Sequence, residues 1–272
     1  MRARRWARVG ALAAVTATAI MTGSVTAAAK GGEVGGPGSQ FHLTDGGGGS
    51  ANHQFVYGRL WDSAYVGDWD GDGTDTLAVR RERTFFFANS LTGGTADTTS
   101  SYGVPGDVVL LGDWDGDGVD TPAVRRGNFF QLTNSPGGGY AQVELTYGRA
   151  GDVVLVGDWD GDGADSLGIQ RGNAFYLKNA LTSGPADFSF RYGNPWDEAM
   201  VGDWDGDGVD TVAIRRERTY YLTNSLTGGT ADRVVVYGTP ADAVLVGDWD
   251  GDGTDTLGVR RTGLPPQAVW GE

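Results

Sequence analysis

At 272 residues, with a formal charge of −14, 47 glycines and no cysteine, the chain is long enough for one large domain and too acidic to favour nucleic acid as a partner. It has no disulfides to restrict its unfolded state. Four aspartates in each of five loops account for 20 of the 35 acidic residues, so the charge is concentrated rather than spread as a solubilising coat.

Residues 1–29 read as a secretory signal: Arg2, Arg4, Arg5 and Arg8 precede an apolar, Ala-rich run over 9–20, and Ala27-Ala28-Ala29 offers a cleavage site. An uncleaved membrane anchor is the alternative, against which the run is short and rich in Ala, Thr and Gly. Cleavage would take the charge from −14 to −18 and place the protein outside the cell, secreted or associated with its surface. The Gly-rich residues 30–39 then read as a flexible linker.

From residue 40 to residue 261 the sequence repeats every 45 residues. A partial unit comes first, with strands predicted over 41–44 and 54–57. Four complete units follow, typified by residues 108–148. There, Val108-Val109-Leu110-Leu111-Gly112 is an apolar, β-branched strand that ends in an aspartate loop. Residues 121–125 form a second strand, Arg126-Gly127-Asn128 a tight turn, residues 129–133 a third strand, and the Gly-rich residues 135–139 a loop into a fourth at 142–147. The last unit holds only its first two strands, 243–247 and 256–261, before a short tail at 262–272 that contains Trp270. Four short strands per unit, with no sustained helical period, predict an all-β chain folded as a β-propeller. The two partial units together make one blade, giving five four-stranded blades closed by pairing of the N- and C-terminal strands. An open arc, or a ring completed by a second chain, is the alternative.

Antiparallel strand order sorts the loops onto two faces. The aspartate loops share one face with the Gly-rich loops. The strand-two turns, such as Arg81-Glu82-Arg83 and Arg216-Glu217-Arg218, share the other with the connectors between blades. This connector face carries the recurring Tyr57, Tyr102, Tyr147, Tyr192 and Tyr237, the recurring Asp62, Asp107, Asp152, Asp197 and Asp242, and also Trp61 and Trp196. Those aromatic and charged groups suit either blade packing or a polar ligand.

In each aspartate loop the acids recur at positions one, three, five and eight: Asp68, Asp70, Asp72 and Asp75; Asp113, Asp115, Asp117 and Asp120; Asp158, Asp160, Asp162 and Asp165; Asp203, Asp205, Asp207 and Asp210; Asp248, Asp250, Asp252 and Asp255. Positions one, three and five of a tight loop turn their oxygens inward, a glycine at six permits the turn, and the carbonyl of position seven faces the same centre. Four carboxylates so close repel one another without a counter-charge. Hard oxygens and the absence of Cys or nearby His point to Ca²⁺, about five ions for five loops, over zinc, copper or magnesium. A merely solvated acidic turn is the bland alternative. Position nine carries a hydroxyl (Thr76, Thr121, Ser166, Thr211, Thr256). Either the position-eight aspartate closes the sphere, the favoured expectation, or it binds backbone while the hydroxyl and water complete the set. At position two, Trp69, Trp114, Trp159, Trp204 and Trp249 fit packing between blades better than sugar stacking. The arginine pairs Arg80-Arg81, Arg125-Arg126, Arg215-Arg216 and Arg260-Arg261 can answer acidic groups nearby, and Gln170-Arg171 breaks the pattern.

The segment Gly67-Asp68-Trp69-Asp70-Gly71-Asp72-Gly73, with Thr76-Leu77-Ala78-Val79 and its four repeats, resembles the FG-GAP repeats of integrin α-chain propellers and related bacterial repeats called VCBS-like. The resemblance covers residues 40–261 and implies calcium-bound blades in a secreted or surface protein, with Asp68, Asp70, Asp72 and their counterparts as ligands. Two features depart from that family: its last loop carboxylate usually stands at position nine, and its well-known members have seven blades.

The expected function is a monomeric, non-catalytic binding or adhesion module for an extracellular glycan, peptide or cell-wall polymer. A secreted hydrolase, or an accessory domain of one, is the alternative. Against catalysis, His42 and His53 are the only histidines, no Gly-x-Ser-x-Gly motif occurs, and the near-identity of the units leaves little asymmetry for a unique active site.

Overall fold

The computed structural model describes residues 30–262. The signal expected at 1–29 and the tail from residue 263, with Trp270, lie outside the described residues. Within them, apolar β-branched runs form strands wherever the sequence alternates between turn residues, and no helix occurs. Blade 1 comprises β3 (Ser63–Gly67), β4 (Thr76–Arg81), β5 (Thr84–Phe87) and β6 (Thr98–Ser101). Blade 2 comprises β7 (Val108–Gly112), β8 (Thr121–Arg126), β9 (Phe129–Leu132) and β10 (Val143–Thr146). Blade 3 holds β11 (Val153–Gly157), β12 (Ser166–Arg171), β13 (Ala174–Leu177) and β14 (Phe188–Arg191). Blade 4 holds β15 (Glu198–Gly202), β16 (Thr211–Arg216), β17 (Thr219–Leu222) and β18 (Arg233–Val236).

Blade 5 is the shared one. Its sheet order is β19 (Ala243–Gly247), β20 (Thr256–Arg261), β1 (Gln40–Leu43) and β2 (His53–Val56). Strands β20 and β1 pair antiparallel with Gln40 opposite Arg261 and Leu43 opposite Gly258, so the two ends of the chain are hydrogen-bonded into one sheet. The innermost strands β3, β7, β11, β15 and β19 each touch the next around the axis, β19 returning to β3. The molecule is a closed five-bladed β-propeller, and predicted strand limits differ from these by about a residue.

The core lies between blades. Leu155, Phe175, Leu177 and Phe190 of blade 3 pack on Val201, Val212 and Ile214 of blade 4, and the same interleaving recurs at the other junctions. No blade buries its faces alone, as expected of a repeat fold. The loop tryptophans belong to this core: all five are buried, and Trp114 Nε1 donates to Thr121 O at 2.9 Å. Sugar stacking at that position is thereby excluded.

One expectation fails. Residues 30–38 are not a free linker but thread the axial channel. Leu111 N of β7 donates to Gly31 O at 2.7 Å, Val34 N donates to Ala64 O of β3 at 2.8 Å, and Gly38 N reaches Leu60 O on the connector face at 2.8 Å. Lys30 thus lies at the aspartate-loop end of the axis and Gly38 at the other. Glycine lets the segment run against the inner strands, and the buried Val34 anchors it.

Candidate metal centre

Each aspartate loop wraps around its first carboxylate. Asp68 Oδ1 accepts the Gly71 N–H at 2.8 Å, Oδ2 accepts Gly73 N–H at 2.7 Å, and Asp72 Oδ1 accepts Thr74 N–H at 2.9 Å. The same bonds recur from Asp113, Asp158, Asp203 and Asp248. The curl requires left-handed backbone at the fourth and sixth positions, which Gly71 (φ 76°) and Gly73 (φ 85°) supply. The result draws three carboxylates together: Asp68, Asp70 and Asp72 each place an oxygen within 4.8 Å of the others, as do the triplets Asp113, Asp115, Asp117; Asp158, Asp160, Asp162; Asp203, Asp205, Asp207; and Asp248, Asp250, Asp252.

Positions three and five face solvent while position one is tied to the fold. Partial burial, then the charges of Asp162 and Asp158, push the Asp160 carboxyl above its ordinary range, and Asp205 and Asp250 are raised for like reasons. Each triplet is therefore a set of hard oxygens that could hold a metal ion, whose charge would relieve their mutual repulsion. In four blades an asparagine from the loop after strand three steadies position three: Asn134 Nδ2 donates to Asp115 Oδ2 at 2.7 Å, and Asn89, Asn179 and Asn224 do the same for Asp70, Asp160 and Asp205. This bond also places the two loop types on one face, as the sequence predicts. In blade 5 the equivalent residue is Asp45, which pairs with His53 Nε2 at 2.8 Å and adds negative charge beside Asp250.

The position-eight aspartates are elsewhere. Asp75, Asp165, Asp210 and Asp255 are buried, Asp120 is partly buried, and together they line a cavity on the axis with Lys30. Each clasps a neighbouring blade. Asp120 Oδ2 accepts Asp68 N–H at 3.0 Å while Asp120 N donates to Asp68 O at 2.7 Å, and the same reciprocal pair links Asp165 to Asp113, Asp210 to Asp158, Asp255 to Asp203 and Asp75 to Asp248. A Cβ at Gly112 would sit 2.8 Å from Asp165 Oδ2, so the residue ahead of each loop is glycine to admit the incoming carboxylate. The expectation that these five close the metal sphere is corrected. Strand entry turns alternate residues to opposite sides, which sends position eight inward to the axis. The position-nine hydroxyls do not substitute, since Thr121 Oγ1 donates to Gly112 O and Ser166 Oγ to Gly157 O within the blade.

Lys30 answers this ring. Its Nζ lies 3.4 Å from Asp210 Oδ2 and 3.9 Å from Asp255 Oδ2. Burial alone would lower its pKa, but the surrounding carboxylates, Asp210 foremost, hold it well above the ordinary lysine value. One cation among five clustered acids leaves the ring under-neutralised. Burial and neighbouring acids push Asp75 up to about 6 and Asp165 up to about 7. The local repeat cannot reveal this arrangement, because Lys30 lies outside it.

On the connector face most of the recurring residues are structural. Tyr147 Oη donates to Tyr176 O of the same-facing strand in the next blade at 2.9 Å, and Tyr57, Tyr102, Tyr192 and Tyr237 repeat the bond to Phe86, Gln131, Tyr221 and His42. The recurring aspartates receive the second arginine of each pair as a two-pronged fork, as in Arg126 Nε and Nη2 on Asp107 at 2.7 Å each. That fork is the main reason Asp107 is held below the ordinary carboxylate value. Trp61 and Trp196 stand apart, 80% and 85% exposed.

No protein-family model matches the sequence, and no curated protein matches it. Among solved structures, the chain is similar to two crystal structures of BBS1N in complex with ARL6DN. For the crystal soaked with lead the TM-score is 0.37 at 12% identity, covering 64% of this chain and 56% of that one. For the crystal soaked with mercury it is 0.39 at 11% identity, covering 81% and 83%. The chain thus spans a little over half the length of the first of these.

Proposed function

We propose that the chain is a secreted calcium-binding β-propeller of the FG-GAP or VCBS-like kind, acting as a non-catalytic binding or adhesion module toward an extracellular glycan, peptide or cell-wall polymer. The observation that carries this is the fivefold recurrence of one exposed carboxylate triplet, each held by backbone N–H groups in a loop of hard oxygens. Calcium, when bound, would supply the counter-charge that each triplet lacks. The loops then become fixed corners between blades, taking the place of the disulfides the chain cannot form. Asp68, Asp70 and Asp72 and their counterparts hold the ion, while Asp75 and its counterparts tie each loop to its neighbour. The opposite, connector face stays free for a partner.

By mass action, an ion at 100 times its dissociation constant adds about 2.7 kcal/mol per site. Five such sites rival the whole stability of a typical domain. Thermal unfolding followed with excess calcium and with a calcium-selective chelator tests the proposal. A fall of tens of degrees on chelation, restored by Ca²⁺ and poorly by Mg²⁺, is expected. An unchanged melting curve would remove the basis for calcium.

A further inference from the structure

Four of the five blade junctions are sealed alike on the connector face. The first arginine of each pair crosses to the next connector. Arg80 donates to Val104 O and Asp107 O at 3.1 and 3.3 Å, Arg125 to Arg149 O and Asp152 O at 2.9 Å each, and Arg215 to Thr239 O and Asp242 O at 3.3 and 2.8 Å. Arg260 fills the junction of blades 5 and 1, bonding Gly38 O at 2.9 Å and Val34 O at 3.2 Å of the axial segment.

Blade 3 carries Gln170 at this position. Its shorter side chain reaches Asp197 O at 3.1 Å and turns back to Gly172 O at 3.0 Å. A cavity of 520 Å³ lies at this junction between blades 3 and 4, bordered by Gln170, Trp196, Glu198, Arg215 and Glu217. Trp196 stands where blades 2, 3 and 5 have Gly106, Gly151 and Ala241, so the repeat does not need an aromatic there for packing. Glu217 keeps a left-handed φ of 58°, as Glu82 does at the matching turn of blade 1, where Gly127 and Gly172 sit in blades 2 and 3.

We propose that this open junction is a carbohydrate site that seats a neutral sugar ring against the Trp196 indole, one per chain despite the fivefold repeat. The inference rests on the binding-module function proposed above and gives that function a place. The chemistry selects the ligand class. Both cations at the cavity are already paired: Arg216 forks onto Asp197 at 2.9 and 2.7 Å, and Arg215 Nη1 meets Glu198 Oε2 at 3.1 Å. No free cation is left among the lining residues to recruit an anion. Paired groups still offer directed donors and acceptors, which suit hydroxyls, and Glu217 adds an acceptor. The indole supplies one broad apolar face, matching the C–H face of a pyranose. A peptide bound by strand addition would need a free sheet edge for its main chain, and the outermost strands β2, β6, β10, β14 and β18 do not border the cavity. Beside Trp61 the matching junction is filled by Arg260, which donates to Asp62 O, Gly38 O and Val34 O.

The test uses the full calcium-loaded protein titrated calorimetrically with neutral cello-, xylo-, manno- and chito-oligosaccharides, with an anionic oligogalacturonate and a mixed peptide pool as comparisons. One neutral oligosaccharide per chain is expected to bind. Trp196→Ala should weaken it about tenfold or more. Gln170→Arg installs the residue that four other junctions already accommodate, so it should fold normally, close the cavity and weaken binding as strongly. Trp61→Ala should change affinity less than about twofold. Saccharide binding unaffected by Trp196→Ala and Gln170→Arg would overturn this site while leaving a binding module intact. Binding of only the anionic sugar or the peptides, or of none of the probes, would overturn the ligand class.

Discussion

At the scale of single residues, aspartates of one loop do opposite work. The triplets were legible because their spacing lies within one loop. The role of position eight was not, since Asp120 clasps a blade whose loop begins 52 residues earlier, and its counter-ion Lys30 comes from outside the repeat. The axial ring has a measurable pH signature. Asp75 and Asp165 titrate near 6 and 7 in the folded chain against an ordinary 3.8, so the folded state holds protons that the unfolded state has released. Their contribution to stability is full below about pH 3.8 and is lost as pH rises through 6 to 7. The forked aspartates run the other way: Asp107, held below 3.8, contributes above that pH and loses its contribution only in stronger acid. The melting temperature of the chelated protein should therefore fall between about pH 4 and pH 7. Asp165→Asn, whose side-chain oxygen can still accept the Asp113 N–H, should flatten that fall. Asp165→Ala should cost about 1–3 kcal/mol by leaving the N–H unpaired. A melting temperature that rises across this window would contradict the arrangement.

At the scale of elements, strand limits followed from alternation and turn residues because each hairpin is local. What alternation could not say was which aromatic residues serve the joints between blades. The recurring tyrosines prove to be clasps, each spending its hydroxyl on a carbonyl of the neighbouring blade, and burial pushes Tyr147 up to about 12. Tyr147→Phe keeps the ring and removes only the bond to Tyr176 O. It should lower unfolding free energy by about 0.5–1.5 kcal/mol in urea titration with little change in slope. No loss would mean that the ring alone holds the joint. The Gly-rich stretch before β1 was misread for a related reason: composition suggested a linker, whereas the channel supplies partners for its backbone that no local pattern encodes.

At the scale of the whole molecule, five blades with one shared between the chain's ends could be counted from the sequence, because repeats and half-repeats add up. The departure at Gln170 was visible too, yet its consequence needed the junction geometry, where one short side chain stands at a seam that arginines cross in the other four. On the proposed function, stability and binding separate by face. The loop face carries the triplets and the axial clasp, and the connector face carries the exposed tryptophans.

The most direct measurement is a count of calcium bound per chain at saturation, by equilibrium dialysis with elemental analysis, on the wild type and on a variant with Asp70→Asn and Asp72→Asn in one loop. Close to five ions for the wild type and one fewer for the variant are expected, with unequal affinity at the Asp248 loop where Asp45 lies nearby. A wild-type chain that retains no calcium, or a variant that retains as much as the wild type, would contradict the assignment of the triplets.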